Sequence, residues 1–240
     1  MTARGADFSP QAYARAGGLL YLYIIIAAMF AEAFVRSKLI ISGDASTTAA
    51  NILAHETLFG FGLAADVLNV SVDIGVALIL YALLRPVDRN LALLAAWLRV
   101  AFDVIYAVCL LFQFVALRIL EGGTVDGFDP HQTQGLVLLA MKLHAAGYLV
   151  GLVFFGFGLL VLGYLIWKSD YLPRFIGALL LIAGTGYLIN SFARFLAPPV
   201  ADALFPWSLL PGFIAELALC LWLLIKGVNL AKWQERARAA

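Results

Sequence analysis

Residues 145–167, AAGYLVGLVFFGFGLLVLGYLIW, decide the fold of this chain. They form a run of 23 residues without a charged side chain. As an α-helix the run would be about 35 Å long, which is enough to cross a hydrocarbon core of about 30 Å. The run lacks the period-two alternation of a membrane barrel strand, and only helices and closed barrels satisfy their backbone polar groups in lipid. It therefore predicts a transmembrane α-helix.

Similar apolar segments occupy most of the 240-residue chain. Hydrophobic residues make up 63% of it and charged residues 13%, and the mean hydropathy is +0.94. A soluble domain carries about 25% charged residues because its surface faces water. We predict an all-α integral membrane bundle, a single domain over residues 1–240, with about six transmembrane helices. The predicted spans are 14–38, 48–84, 90–120, 133–167, 172–196 and 205–229.

The turns between these segments predict the membrane topology. Ten lysine and arginine residues fall on the side that carries both termini, and four fall on the other side: Arg36, Lys38, Arg118 and Arg194. Cytoplasmic loops carry the excess of basic residues. The count predicts a multi-pass protein of a bacterial-type inner membrane with both termini in the cytoplasm. The second span is longer than the bilayer requires, so we expect tilt, a protruding end, or a break near Gly60 and Gly62.

The composition also bears on partners and cofactors. The net charge is +1 and the basic residues are spread along the chain, which excludes a clustered nucleic-acid-binding face. Cys109 and Cys220 both lie in apolar runs and are interpreted as small buried residues. We expect no metal and no cofactor. The expected partner is the lipid bilayer, with association to other membrane subunits or to a second copy left open.

Ionisable side chains inside the predicted spans are the candidate functional residues. Counting from the cytoplasmic helix ends places one layer of them near the bilayer midplane. Asp66, Asn69 and Asp73 share a face of the second span, and Arg99 and Asp103 share a face of the third. The predicted intramembrane polar cluster consists of Asp66, Asn69, Asp73, Arg99, Asp103 and Glu216.

This layer has more carboxyl groups than guanidinium groups. Asp73, Asp103 and Glu216 come to the same depth as the single Arg99. If all three were ionised together, uncompensated negative charge would lie in a medium of low dielectric constant. We therefore expect a protonated carboxyl, a bound cation or water. The alternative is a structural cluster in which Arg99 pairs with carboxylates to fix helix packing.

A second set of polar residues is predicted nearer the outer interface. It contains His55, Lys142, His144 and Asn190. A lysine at this depth is most simply directed to the headgroups. Two histidines could ligate a haem or a metal between helices, but no ligand-spacing motif supports this hypothesis.

The chain contains no recognised catalytic signature, since the nucleophile elbow, the zincin motif, a phosphate-binding loop and Cys-x-x-Cys are all missing. Several of its strings resemble those of an uncharacterised bacterial membrane-protein family, catalogued as domain of unknown function 4386. They are NILAHE (51–56), LYALLRPV (80–87), LALLA (91–95), GLVFFG (151–156), GYL (163–165), YLPR (171–174) and LWLLIKGV (221–228). The resemblance implies a multi-pass helical protein and brings no activity or site residue with it.

Three functional classes remain open. The first is proton- or ion-coupled transport through the midplane polar cluster. The second is an accessory or assembly subunit of a larger membrane complex. The third, an intramembrane enzyme acting on a lipid or quinone, is disfavoured because catalytic motifs are missing.

Overall fold

The computed structural model describes residues 9–123, 125–205 and 207–239, and within them it contains helices and no strand. Short turns join the helices. The elements are α1 (Pro10–Met29), a π-helix (Phe30–Arg36), α2 (Ser37–Leu39), α3 (Ala45–Ala54), α4 (Glu56–Leu84), α5 (Arg89–Glu121), α6 (Pro130–Ser169), α7 (Arg174–Leu196), α8 (Pro198–Leu204), α9 (Leu210–Ile225) and α10 (Leu230–Ala239).

Five helical segments are long and apolar enough to span a membrane. They are Pro10–Leu39, Glu56–Leu84, Arg89–Glu121, Pro130–Ser169 and Arg174–Leu196. Helices α9 and α10 meet the same criterion only together, with a bend of 99° at the break between them. The described residues thus hold five spans, or six if the bent pair is counted as one. The predicted all-α class and the predicted number of spans are confirmed.

The second predicted span, 48–84, is not continuous. Helix α3 ends at Ala54 and α4 begins at Glu56, and His55 between them has φ −130° and ψ 36°. The break that was expected near Gly60 and Gly62 therefore lies at a different residue. Gly62 packs instead: an added Cβ would lie 3.0 Å from a methyl group of Val35. A glycine lowers helix stability by only about 1 kcal/mol, which packing readily offsets.

The sixth predicted span, 205–229, is longer than the helix found there. Helix α9 covers only Leu210–Ile225, a length of roughly 24 Å at 1.5 Å per residue. Gly227 follows with φ +68°, a left-handed conformation that ends helices and favours glycine. Helix α10 then leaves in a new direction. Hydropathy did not detect α10 because its sequence, LAKWQERARA, is polar.

Aspartate side chains cap the starts of two helices. Asp88 accepts hydrogen bonds from the backbone N–H groups of Asn90 and Leu91, both at 2.9 Å, at the start of α5. Asp44 caps α3 by accepting from the backbone N–H of Thr47 at 2.9 Å and from its hydroxyl at 2.6 Å. These hydrogen bonds from Thr47 lower the pKa of the Asp44 carboxyl.

The chain divides into two compact units. Unit 1 comprises Met1–Leu22, Asp73–Ala101 and Leu152–Ala240. Unit 2 comprises Tyr23–Val72 and Phe102–Gly151. Helices α1, α4, α5 and α6 each contribute residues to both units.

In unit 1, α6 and α7 pack through two pairs of glycines. A Cβ added to Gly177 would lie 2.7 Å from the carbonyl oxygen of Gly163, and the reciprocal distance is also 2.7 Å. Gly156 and Gly184 form the second pair, with distances of 3.1 and 2.6 Å. Small residues let two membrane helices approach backbone to backbone. At each pair, a side chain larger than that of glycine would push α6 and α7 apart.

The last turn of α4 is held by two distant aromatic side chains, also within unit 1. The carbonyl oxygen of Leu83 accepts hydrogen bonds from the hydroxyl of Tyr171 at 2.7 Å and from the indole N–H of Trp233 at 2.9 Å. The last carbonyls of a helix lack partners within the helix. The turn between α6 and α7 and the helix α10 therefore supply a partner from outside α4.

Candidate functional site

A buried ion pair lies at the centre of the polar residues of unit 1. Arg99 of α5 donates from Nε to Asp73 Oδ2 at 2.9 Å and from Nη2 to Asp73 Oδ1 at 2.6 Å. Both residues are 5% exposed. This two-point contact between guanidinium and carboxylate is the strongest form of such a pair. The predicted proximity of Asp73 and Arg99 is thus seen in the structure.

Aromatic rings enclose the guanidinium of Arg99. Its Cζ lies 4.8 Å from the ring centre of Tyr21 and 5.2 Å from that of Phe155. Cation–π attraction of this kind is worth more where water is excluded. The pair with Asp73 and the two rings together hold Arg99 in one position.

Two tyrosine hydroxyls connect Glu216 of α9 to this pair. Tyr21 donates to Glu216 Oε2 at 3.1 Å and accepts from Arg99 Nη1 at 3.3 Å. Tyr187 of α7 donates to Glu216 Oε1 at 3.0 Å. Tyr21 is fully buried, whereas Glu216 is partly exposed. Asp73, Arg99, Tyr21, Glu216 and Tyr187 form one connected network, called here the Glu216 network.

The charges within the Glu216 network do not balance when Glu216 is ionised. Asp73 and Arg99 neutralise each other, which leaves Glu216 with neutral partners only. A small cavity of about 20 Å³ also borders Arg99, between α4, α5 and α6. Its wall is otherwise mainly alanine, glycine and leucine. This volume holds roughly one water molecule.

Unit 2 contains a second ion pair, which the sequence analysis did not predict. Arg36, the last residue of the π-helix, binds Asp66 Oδ2 through Nη1 and binds Glu32 Oε2 through Nε at 2.8 Å. Asp66 is fully buried, whereas the Glu32 side chain is 67% exposed. A π-helical turn often marks a functional site. The topology count placed Arg36 at the outer end of the first predicted span, 14–38.

His144 of unit 2 has protein partners on both sides of its ring. Nδ1 donates to the carbonyl oxygen of Cys109 at 3.1 Å, and Nε2 accepts from Gln113 Nε2 at 3.0 Å. His144 is buried, and this pattern fits a neutral imidazole. His55 is exposed and its Nδ1 lies 3.1 Å from the carbonyl oxygen of Asn51. The two histidines therefore serve different local contacts.

The other two residues that were predicted near the outer interface differ in their burial. Lys142 is exposed, as expected for a side chain that reaches the headgroups. Asn190 is buried in unit 1 and accepts a hydrogen bond from Ser208 at 3.3 Å. Cys109 and Cys220 are free and buried, as predicted. Within the described residues, no group of three or more His, Cys, Asp or Glu side chains could hold a metal ion.

The predicted midplane residues fall into two groups. Asp73, Arg99 and Glu216 belong to unit 1 and are joined by hydrogen bonds. Asp66, Asn69 and Asp103 belong to unit 2 and are all buried. Sequence reasoning missed Arg36, Tyr21 and Tyr187. Each tyrosine lies within an apolar run, and a buried tyrosine hydroxyl usually has a hydrogen-bond partner. This position was the only signal in the sequence that could have identified the two tyrosines.

Many large apolar side chains are exposed on the surface of the protein. Leu19, Leu78 and Trp97 are 60%, 61% and 65% exposed, and many other large apolar side chains are similar. A soluble protein rarely exposes such continuous apolar surface. Together with the spans, this defines the chain as a multi-pass helical membrane protein.

Sequence comparisons then place it in a family. The model of the family described as domain of unknown function 4386 matches residues 16–227, and the chain belongs to this family. The resemblance noted from the sequence strings is thereby confirmed. An uncharacterized protein of Archaeoglobus fulgidus is 30% identical over 165 residues, which cover 69% of this chain and 83% of the relative. No solved structure matches.

Proposed function

We propose that this protein mediates proton-coupled transport and that Glu216 is the residue that binds and releases the proton. One observation carries the proposal: Glu216 is a partly exposed carboxyl on the apolar helix α9, and both of its oxygens are held by tyrosine hydroxyls beside a pair that is already neutral. Intramembrane carboxyls of this kind are costly and commonly serve proton relays.

The chemistry of the two tyrosines supports both protonation states of Glu216. A hydroxyl group can donate one hydrogen bond and can also accept. When Glu216 is ionised, Tyr21 and Tyr187 both donate to it, as the structure has them. When Glu216 is protonated, Tyr187 can rotate its O–H away and accept the new O–H. The site therefore keeps its hydrogen bonds while the proton enters and leaves.

The charge of Arg99 acts on the binding and release of the proton at Glu216. Its guanidinium contacts the oxygen of Tyr21, which in turn contacts Glu216. The positive charge favours the ionised carboxylate, while the nearby Asp73 opposes it.

The experiment is proton flux into proteoliposomes, followed with a pH-sensitive dye under an imposed membrane potential. The purified protein is compared with Glu216→Gln and with Glu235→Gln as the matched control, since Glu235 is exposed on the polar helix α10. We expect flux from the native protein and from Glu235→Gln. Glu216→Gln should fall to the level of protein-free liposomes because an amide cannot carry the proton.

Two outcomes contradict the proposal. Equal flux from Glu216→Gln and the native protein would remove Glu216 from the pathway. If the folded native protein gives no flux at all, transport is wrong and the network is structural. In that case the protein is better regarded as an accessory subunit of a larger membrane complex.

We also propose that the protein lies in the cytoplasmic membrane with both termini inside. The turns Arg85–Asp88 and Lys168–Arg174 and the helix α10 carry six of the ten basic residues that were counted on the side of the termini. Arg4, which the count also used, lies outside the described residues.

This topology predicts the labelling of single cysteines in intact cells. Asp126 and Asp170 are both exposed in turns at opposite ends of predicted spans, and Cys109 and Cys220 are buried. We expect a membrane-impermeant maleimide to label Asp126→Cys in intact cells and Asp170→Cys only after permeabilisation. The reverse pattern would show that the termini lie outside.

A further inference from the structure

Helix α10 has the features of a helix that lies along a membrane surface. It follows α9 after a bend of 99°, so it runs along the bilayer plane when α9 crosses the bilayer. It buries Trp233 and exposes Lys232, Glu235 and Arg238. Helices with an aromatic side chain on one face and lysine and arginine on the other are typical of the headgroup region. Helix α10 therefore fits the boundary between lipid and water.

Hydrogen bonds attach α10 to the turn between α6 and α7. The backbone N–H of Asn229, directly before α10, donates to the carbonyl oxygen of Tyr171 at 3.1 Å. The Tyr171 hydroxyl and the Trp233 indole N–H both donate to the carbonyl oxygen of Leu83. Tyr171 and Trp233 are buried, and all four residues belong to unit 1. These contacts hold α10 against the turn.

This attachment brings two basic side chains of α10 close to the turn. Lys232 and Arg236 are four residues apart and share a face of α10. Asp170 of the turn is paired with Arg174 at 2.8 Å. The hydrogen bond from Arg174 lowers the pKa of the Asp170 carboxyl, and the charges of Arg236 and Lys232 lower it further. Because Arg174 already pairs with Asp170, Lys232 and Arg236 are surplus cations beside it.

The two surplus cations are accessible to a ligand. Among the described residues, neither Lys232 nor Arg236 forms an ion pair with a carboxylate, Glu235 of the same helix included. Lys232 is exposed and Arg236 is partly exposed. Lysine and arginine are the usual partners of a phosphate group, whose oxygens accept charge-assisted hydrogen bonds. Two cations one helical turn apart therefore suit one phosphate group.

Exposed aromatic and apolar side chains mark the level of the lipid headgroups in this part of unit 1. Tyr164 and Trp167 are exposed near the end of α6, just before the turn. Tyrosine and tryptophan are enriched where the membrane meets water. Ile225 at the end of α9 and Leu230 at the start of α10 are exposed as well. The basic pair thus follows directly on apolar side chains that face lipid.

We propose that Lys232 and Arg236 bind the phosphate of an anionic phospholipid, whose acyl chains lie beside Ile225 and Leu230. The choice of an anionic lipid follows from charge complementarity. Basic side chains directly beyond a membrane helix attract lipids with a net negative charge. This site is independent of the transport proposal, because lipid binding is measured in detergent without any flux and Glu216 takes no part in it.

The test measures the binding of single lipid molecules to the purified full-length protein in detergent, by native mass spectrometry. The probes are phosphatidylglycerol, which is net negative, and phosphatidylcholine, which is net neutral, with the same acyl chains. Each basic residue near an anionic lipid strengthens binding by about fivefold. We therefore expect the native protein to bind phosphatidylglycerol at least about tenfold more tightly than phosphatidylcholine.

Variants of α10 separate this site from a general effect of charge. Lys232→Gln combined with Arg236→Gln should bind phosphatidylglycerol only as tightly as phosphatidylcholine. Should the partly buried Arg236 be needed for folding, Lys232→Gln alone changes an exposed side chain and should weaken phosphatidylglycerol binding about fivefold. The matched control is Arg238→Gln, which removes one exposed charge from a different face of α10 and should keep the native affinity.

The proposal is overturned if the native protein binds the two lipids equally well. It is also overturned if Lys232→Gln and Arg238→Gln weaken phosphatidylglycerol binding to the same extent, since the effect would then come from net charge and not from this face. Inorganic phosphate that displaces phosphatidylglycerol at equal concentration would show a site for a free anion instead of a lipid.

Discussion

Replacing Asp73 with alanine is expected to destabilise the protein by about 3–5 kcal/mol, the range measured when one partner of a buried ion pair is removed. The substitution leaves the guanidinium of Arg99 buried at 5% exposure without a carboxylate. Cation–π contacts with Tyr21 and Phe155 remain, but they cannot replace two charge-assisted hydrogen bonds. The measurement is the unfolding free energy in mixed detergent micelles.

A double variant provides the control for this prediction. Asp73→Leu combined with Arg99→Met removes both charges and keeps similar volumes. Exchange of a buried pair for apolar side chains is often neutral or stabilising. We expect the double variant to be far more stable than Asp73→Ala. Comparable losses in the two would mean that packing, not charge, dominates at this position.

Gly177→Ala should be the second most damaging change, with a loss of about 1–3 kcal/mol as for an overpacked core. The new Cβ would lie 2.7 Å from the carbonyl oxygen of Gly163 and 2.8 Å from the backbone nitrogen of Trp167. Neither atom belongs to a side chain that could rotate away. The two helices must separate, and their contacts weaken along the whole pair.

The matched control is Gly60→Ala. An added Cβ at Gly60 meets no atom within 4 Å, and the residue lies inside α4. Alanine is favoured over glycine in a helix by roughly 0.5–1 kcal/mol, so this variant should be slightly more stable than the native protein. The same unfolding measurement serves both. Equal stability of Gly177→Ala and the native protein would contradict the close approach of α6 and α7.

The fold was predictable because the thickness of the bilayer sets the minimum length of each apolar segment that crosses it. A run such as 145–167 can only be a helix in lipid, so the fold class and the approximate spans followed from hydropathy. The interruption at His55 and the bend after Gly227 depend on single residues. Average hydropathy is not sensitive to such local backbone changes.

The candidate sites were predictable only in part. Counting from helix ends placed Asp73 and Arg99 at one depth, and they form an ion pair. The tyrosines were missed because a Tyr side chain within an apolar run is counted with the apolar residues, although its hydroxyl is polar. Arg36 was counted only as a basic residue of the outer side because it stands at the end of an apolar run. Its role depends on contact with Asp66 of another helix, which no single segment reveals.

The hydrogen bonds at Leu83 have a consequence for the order in which the protein is assembled during synthesis. Leu83 and Trp233 are 150 residues apart in the chain, and Gln11 donates to the carbonyl oxygen of Lys226 across 215 residues. The ribosome adds roughly 5–20 residues each second, so Leu83 and Gln11 enter the membrane many seconds before their partners exist. Unit 1 can therefore close only after translation reaches the last helix. A chain that stops before α10 leaves the carbonyl oxygen of Leu83 with Tyr171 as its hydrogen-bond donor and without Trp233.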